Sequence, residues 1–280
     1  MMTDREYATP FTMLHAANLL GQKSRINKFR QAIQKVVKEG DYVVDIGTGS
    51  GILAILAAKS GAALVTAIEV NPESLRYARD AAKMNGVNHL IEFVEGTFSD
   101  FKPQKRADVV ICEMLSSMML IEQQIPASYY ASTEILKPEG ILLPEEITVF
   151  VVPVECKEIW DRFHYEDLRF PQVVQSASPE STKDLADMQG LATFNLMNLK
   201  LDNSIDTNLT FTIVDSGTIH GLVGVFESKL YNDIQLQMND GWKQLFIPLE
   251  QPVEVSVGEV FSTRISYQPG KYDTLSLEIL

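Results

Sequence analysis

The chain is predicted to carry an α/β domain with a mostly parallel sheet, followed by an antiparallel β-barrel or sandwich. Three observations support this. Between residues 43 and 72, the strand-type residues Val43, Val44, Asp45 and Ile46 run into a turn holding Gly47, Gly49 and Gly51; helix-type Ile52, Leu53, Ile55 and Leu56 follow, then a second apolar run, Leu64 to Ile68, ending at Glu69. That order is a βαβ unit with a glycine turn. Beyond Ile147 the pattern becomes short alternating segments without helices between them, as in all-β sandwiches and barrels. The change falls near Pro144, which sets the predicted domains at 1–144 and 145–280.

Length and composition agree with two domains. A chain of 280 residues with 45% apolar content can bury a substantial core in one large or two moderate domains. A formal charge of −13 argues against a nucleic-acid or anionic-membrane partner, both of which need a positive surface, and suits a cationic one. Cys112 and Cys156 are the only cysteines, so neither a disulfide framework nor a cysteine zinc site is expected. His15, His89, His164 and His220 are scattered and suggest no metal site. The N-terminus MMTDREYATPF places charges where a signal peptide needs an apolar core, and the longest apolar stretch is broken by Lys59, Ser60 and Gly61. A cytoplasmic protein without membrane spans is expected.

Taken in order, residues 12 to 37 show helical spacing in two runs separated near Gly21, with Ile26, Phe29, Ile33 and Val36 on the second face. After the βαβ unit, Pro72 to Asn85 reads as a helix stopped by Gly86, and Leu90 to Gly96 as a third strand. Ala107 to Cys112 is a buried, β-branched fourth strand with Glu113 at its C-terminal end, where ligands of open α/β sheets bind. Tyr129 to Leu136 reads as a helix, and Ile141 to Leu143 as a strand. The later strands are expected at 148–154, 192–201, 209–214, 221–226, 244–248, 253–257, 261–267 and 274–279. Between 157 and 190 the chain is polar, with Trp160, Phe163, Tyr165 and Phe170 interleaved among charges. That composition suits an interface, or a loop packed on its own domain.

The glycine turn points to an adenosine-type ligand, and its spacing narrows the choice. Dinucleotide sites use G-x-G-x-x-G to seat a pyrophosphate on a helix N-terminus, whereas this turn is G-x-G-x-G behind acidic Asp45. Asp45-Ile-Gly47-Thr48-Gly49-Ser-Gly51, with Glu69 closing the next strand, resembles motif I and its acidic partner in class I S-adenosylmethionine-dependent methyltransferases. The resemblance implies a Rossmann-like fold and S-adenosyl-L-methionine as cofactor.

A second set of residues resembles the protein arginine methyltransferases. Glu113-Met-Leu-Ser-Ser-Met-Met-Leu-Ile-Glu122 is similar to their double-glutamate loop, Leu136-Lys-Pro-Glu-Gly to the turn that follows it, and Arg25-Ile-Asn-Lys-Phe29-Arg30 to their R-x-x-x-(aromatic)-R helix pattern. His220-Gly-Leu-Val-Gly-Val-Phe226 and Gly241-Trp242-Lys243-Gln244-Leu-Phe-Ile-Pro-Leu249 resemble strands of their barrel. The resemblance implies a divergent member with catalytic Glu113 and Glu122 clamping a guanidinium. It also implies cofactor contacts from Arg25, Asp45, Gly47, Thr48, Gly49, Gly51, Glu69, Val70, Phe98, Ser99 and Glu113, and acceptor contacts from Glu113, Glu122 and Trp242. The implied partners are a cationic, arginine-containing protein or peptide and a second copy of the chain, the latter through an arm at about 157–190. The sequence departs from the family at Ser99, where an acid is usual, at Asp240-Gly241, which stands in place of a Thr-His pair, and in the absent Trp, Gly and Tyr of the glutamate loop. Two alternatives stay open: methyl transfer to a small amine or hydroxyl, and cofactor binding without catalysis.

Overall fold

A computed structural model describes residues 11–280. The charged residues read above against a signal peptide, Asp4, Arg5 and Glu6, lie outside the described residues. The N-terminal helices are α1 (Met13–Asn18) and α2 (Lys23–Val36), separated by a short 3₁₀ turn, Leu19–Gly21. Helix α2 buries Phe29, Ala32, Ile33 and Val36, the face that its apolar spacing marks. Then come β1 (Tyr42–Ile46), α3 (Ile52–Lys59), β2 (Leu64–Glu69), α4 (Pro72–Met84), β3 (Ile91–Glu95), β4 (Ala107–Cys112), α5 (Gln124–Tyr130) and β5 (Leu136–Leu143). Helix α4 begins with Asn71 accepting from the backbone N–H groups of Glu73 and Ser74 and with Pro72 in its first turn.

The sheet order is β3-β2-β1-β4-β5, and every pairing is parallel. The order reverses between β1 and β4, so a crevice opens beyond their C-terminal ends. This is a Rossmann-like core. Strands β1 and β4 are buried almost throughout because helices cover both faces.

The second half is antiparallel. Strand β6 (Glu146–Glu155) is followed by a short helix, α6 (Lys157–Trp160), a two-residue hairpin, β7 (His164–Tyr165) and β8 (Leu168–Arg169), then β9 (Gln175–Ala177), β10 (Lys183–Asp184), β11 (Gln189–Asn195) and β12 (Ile205–Thr212). The chain ends in β13 (Gly217–Tyr231), β14 (Ile234–Leu236), β15 (Gln244–Val255), β16 (Val260–Gln268) and β17 (Lys271–Ile279). A larger sheet runs β10-β6-β13-β15-β9 with β11 on β6 and β14 on β13, and a smaller one runs β12-β16-β17. Among the described residues no helix is long and apolar enough to cross a membrane.

Several elements differ from their sequence reading. The segments at 244–248 and 253–257 are one strand, β15: Gly221 pairs with Pro248 and Ile219 with Val253, so residues 249 to 252 bulge opposite His220. Of the two prolines that look like strand ends, Pro252 falls within that bulge and Pro248 at its edge, so neither ends the strand. The helix expected at 129–136 starts at Gln124 and ends in a π turn, Ala131–Ile135. The strand expected at 192–201 stops at Asn195, whose side chain accepts from the backbone N–H of Met197 and turns the chain. Strands β9, β10 and β14 and the β7–β8 hairpin have two or three residues each, too few to show a period.

Candidate functional site

The site is built at the C-terminal ends of β1, β2, β3 and β4. Beyond β1 the chain turns on Gly47, Gly49 and Gly51, with φ of 72°, 52° and 80°. The backbone N–H groups of Gly47 and Thr48 both donate to the Ile68 carbonyl at 2.9 Å, which pins the turn to β2. A Cβ on Gly47 would stand 3.1 Å from Met114 Cγ, and one on Gly51 2.9 Å from Ala78 Cβ of α4. The first glycine admits the loop after β4, and the third admits a neighbouring helix.

Asp45 is buried behind this turn and accepts from Thr48 Oγ1 at 2.5 Å. Desolvation pushes its carboxyl up to about 7, against the hydrogen bonds from Thr48 and the Ala54 backbone. Glu69, at the end of β2, accepts from Gly49 N–H through Oε2 and from Asn71 N–H through Oε1, both at 2.9 Å. Each oxygen retains acceptor capacity, which suits the hydroxyls of a ribose.

Beyond β4 the loop from Glu113 to Glu122 crosses beneath the β half of the molecule. Glu113 pairs with Arg25 of α2, whose guanidinium also donates to Gln22 Oε1 at 3.0 Å and lies 4.2 Å from the centre of the Trp242 ring. Burial lowers the Arg25 guanidinium to about 10, opposed by the nearby Glu122 carboxylate. Glu122 faces the cavity interior, where desolvation raises its carboxyl to about 7 against the attraction of Arg25. Trp242 donates from Nε1 to the Leu115 carbonyl at 2.7 Å and meets Phe226 edge-on.

These groups surround one cavity of about 500 Å³. Of the residues singled out from the sequence, its wall holds Arg25, Gly47, Thr48, Gly49, Glu69, Val70, Phe98, Glu113, Glu122 and Trp242. Three stand off the wall. Asp45 props Thr48 from behind, Gly51 packs on Ala78, and Ser99 turns its hydroxyl to Thr97 Oγ1 at 2.9 Å. Thr97 takes the place on the wall next to Phe98. The wall also holds Met114, Ser117, Ser176 and Gln244, on which sequence reasoning had not settled. Ser176 lies in a three-residue strand, and Gln244 differs from any strand glutamine only in following Trp242 by two positions.

The altered Asp240-Gly241 pair has its own partners. Buried Asp240 accepts from Ser24 Oγ at 2.5 Å and Lys28 Nζ at 2.6 Å, both on α2, and Gln22 Nε2 donates to the Gly241 carbonyl at 3.1 Å. His220 is a buried strand residue: its Nδ1 accepts from the Cys156 backbone and its ring meets Trp160 edge-on. Among the described residues no group of three His, Cys, Asp or Glu could hold a metal ion.

Known proteins match both halves. A family model described as ribosomal protein L11 methyltransferase (PrmA) matches residues 30–144, and one described as the PRMT5 oligomerisation domain matches residues 146–269. An uncharacterized protein of Methanocaldococcus jannaschii is 32% identical over 230 residues, which cover 80% of this chain and 87% of that protein. A probable protein arginine N-methyltransferase 6.1 of Oryza sativa subsp. indica is 32% identical over 163 residues, 56% of this chain and 42% of the rice protein. The match thus spans less than half of that relative's length. The solved Trypanosoma brucei PRMT1 enzyme-prozyme heterotetrameric complex with AdoHcy superposes with a TM-score of 0.78 over 93% of this chain and 91% of that chain at 20% identity, which establishes a shared fold. Matches that run through both halves, on this fold and around this cavity, place the chain in the protein arginine N-methyltransferase family, so it is an S-adenosyl-L-methionine-dependent methyltransferase.

Proposed function

We propose that this protein transfers a methyl group from S-adenosyl-L-methionine to a guanidinium nitrogen of arginine in a cationic protein or peptide. The observation that carries this reading is that Glu113 and Glu122 line the same cavity as the glycine turn and Glu69. The cofactor supplies an electrophilic methyl on a cationic sulfur. Glu69 holds its ribose hydroxyls, the Gly47–Gly49 turn its amino-acid tail, Phe98 and Val70 flank its adenosine, and Arg25 is the available cation for its carboxylate.

A guanidinium is a poor nucleophile because its charge is spread over three nitrogens and its pKa lies above 12. Two carboxylates that grip it orient one nitrogen toward the methyl and draw positive charge from that nitrogen. Glu122, with its carboxyl near neutrality, is suited to accept the released proton. Trp242 adds an aromatic face to the cavity wall and holds Arg25 against it. The net charge of −13 favours encounter with a basic acceptor.

The same reading assigns residues 1–144 to cofactor binding and 145–280 to acceptor binding, and makes 157–190 a dimerisation arm. The arm's hairpin region exposes Tyr165 at 66%, Leu168 at 53% and Phe170 at 56%, and a second copy would cover them. The test is transfer of label from methyl-labelled cofactor to an arginine-rich peptide, its arginine-to-lysine counterpart and free arginine, with identification of the methylated residue. Methylarginine in the peptide is expected, with Glu113→Gln and Glu122→Gln each slower by at least about 100-fold. Unchanged rates in both variants would reject the clamp, and label on the lysine peptide alone would reject the acceptor.

A further inference from the structure

One residue of the cavity wall carries a buried polar atom that has no partner among the described residues. Gln244 opens β15, and its backbone position is held by pairing with Ala177 of β9. Its side chain lines the cavity together with Trp242 and Ser176. Its Oε1 is shielded from solvent and has no hydrogen-bond partner, the only such side-chain nitrogen or oxygen among the described residues. Among the described residues the other buried side-chain nitrogens and oxygens are paired, and an orphan acceptor on a residue of the cavity wall marks a place where a donor is missing.

We infer that Gln244 is a substrate-binding residue whose Oε1 accepts a hydrogen bond from an N–H of the bound arginine acceptor. This rests on the arginine reading above. A guanidinium carries five N–H donors in a planar fork, more than the two carboxylates need for a bidentate grip, so a donor is left over for a third acceptor. A lysine ammonium places all its donors on one atom, and a hydroxyl has a single donor, so neither reaches the carboxylates and Gln244 together as a fork does. Gln244 thereby adds discrimination among acceptors, because an acceptor that lacks the extra N–H leaves the amide oxygen unpaired.

The experiment is steady-state kinetics of Gln244→Met and Gln244→Glu with an arginine-rich peptide, alongside cofactor Kd by calorimetry and thermal unfolding. Methionine keeps the length of the side chain and removes the acceptor; glutamate keeps an acceptor oxygen. For Gln244→Met the peptide KM is expected to rise about tenfold or more, with kcat within about threefold, cofactor Kd unchanged and Tm unchanged or higher. For Gln244→Glu the KM should stay within about threefold of wild type. A Gln244→Met enzyme with wild-type KM and raised Tm would overturn the inference, since the orphan oxygen would then be only a defect of the fold. A KM rise of about tenfold or more for Gln244→Glu would overturn it too, and this result decides alone if Gln244→Met fails to bind cofactor. Wild-type protein that binds cofactor but never labels the peptide would reject the arginine reading and this inference with it.

Discussion

Glu122 shows how position converts an ordinary carboxyl into a titrating one. Enclosure in the cavity disfavours its charge, Arg25 partly compensates, and the carboxyl rises to about 7. Its pKa is raised above the unfolded value of about 4.3, so between those two pH values the native state holds a proton that the unfolded chain has released. Native stability therefore falls as pH rises through this window. Glu122→Gln cannot ionise, and is expected to gain roughly 1 to 3 kcal/mol relative to wild type between pH 5 and pH 8, read by denaturant unfolding at each pH. The same titration governs rate with the opposite sign: the clamp needs the carboxylate, so wild-type kcat/KM should climb with pH up to about 7 and level off. A profile flat from pH 5 to 8 would exclude Glu122 from the rate-determining proton step.

The loop that carries both glutamates owes its shape to elements distant in sequence. Met118 and Met119 take φ of 61° and 52°, a left-handed conformation that non-glycine residues rarely adopt. It is held from the β half of the molecule. Tyr267 Oη donates to the Met118 carbonyl at 2.7 Å, Gly270 N–H to the Met119 carbonyl at 2.9 Å, and Ser117 Oγ to the Lys243 carbonyl at 2.5 Å. The Met118 side chain fills the notch left by Gly224 on β13, where a Cβ would overlap it. Met118 is fully buried and has no alternative space. Gly224→Ala is expected to cost about 1 to 3 kcal/mol of stability by overpacking and, by moving the loop, to slow methylation at least about tenfold. Tyr267→Phe, which removes only one hydrogen bond, should cost about 1 kcal/mol. Equal activity of Gly224→Ala and wild type would show that the loop tolerates displacement.

Over the whole molecule, α2 lies between the parallel sheet and the β half and ties both to the cavity. Arg25 reaches Glu113 and lies against Trp242, while Ser24 and Lys28, one turn apart on the same helix and flanking Arg25 in sequence, hold Asp240. Asp240 is 4% exposed, so removal of its charge leaves Lys28 unpaired at a closed junction. Asp240→Ala is expected to lower stability by roughly 2 to 4 kcal/mol and to weaken cofactor binding, because α2 carries Arg25. Thermal unfolding with and without cofactor measures both effects, and unchanged cofactor affinity would separate the junction from the site.

Periodicity and glycine placement alone determined the parallel core, the antiparallel second half, the cofactor turn and the acidic residue closing β2, because each is a local pattern that short-range sterics and burial impose. The pairing of Glu113 and Glu122 was legible only as a resemblance, since two acids nine positions apart can meet only if the loop between them folds back. Tertiary structure decided that bend through Gly224, Tyr267 and Lys243, residues separated from the loop by roughly a hundred positions or more. It likewise fused two apparent strands into β15, set Asp45, Gly51 and Ser99 off the cavity wall, and placed Gln244 on it. Side-chain direction, bulges and unpaired acceptors depend on partners brought from far along the chain, and local sequence pattern carries no record of them.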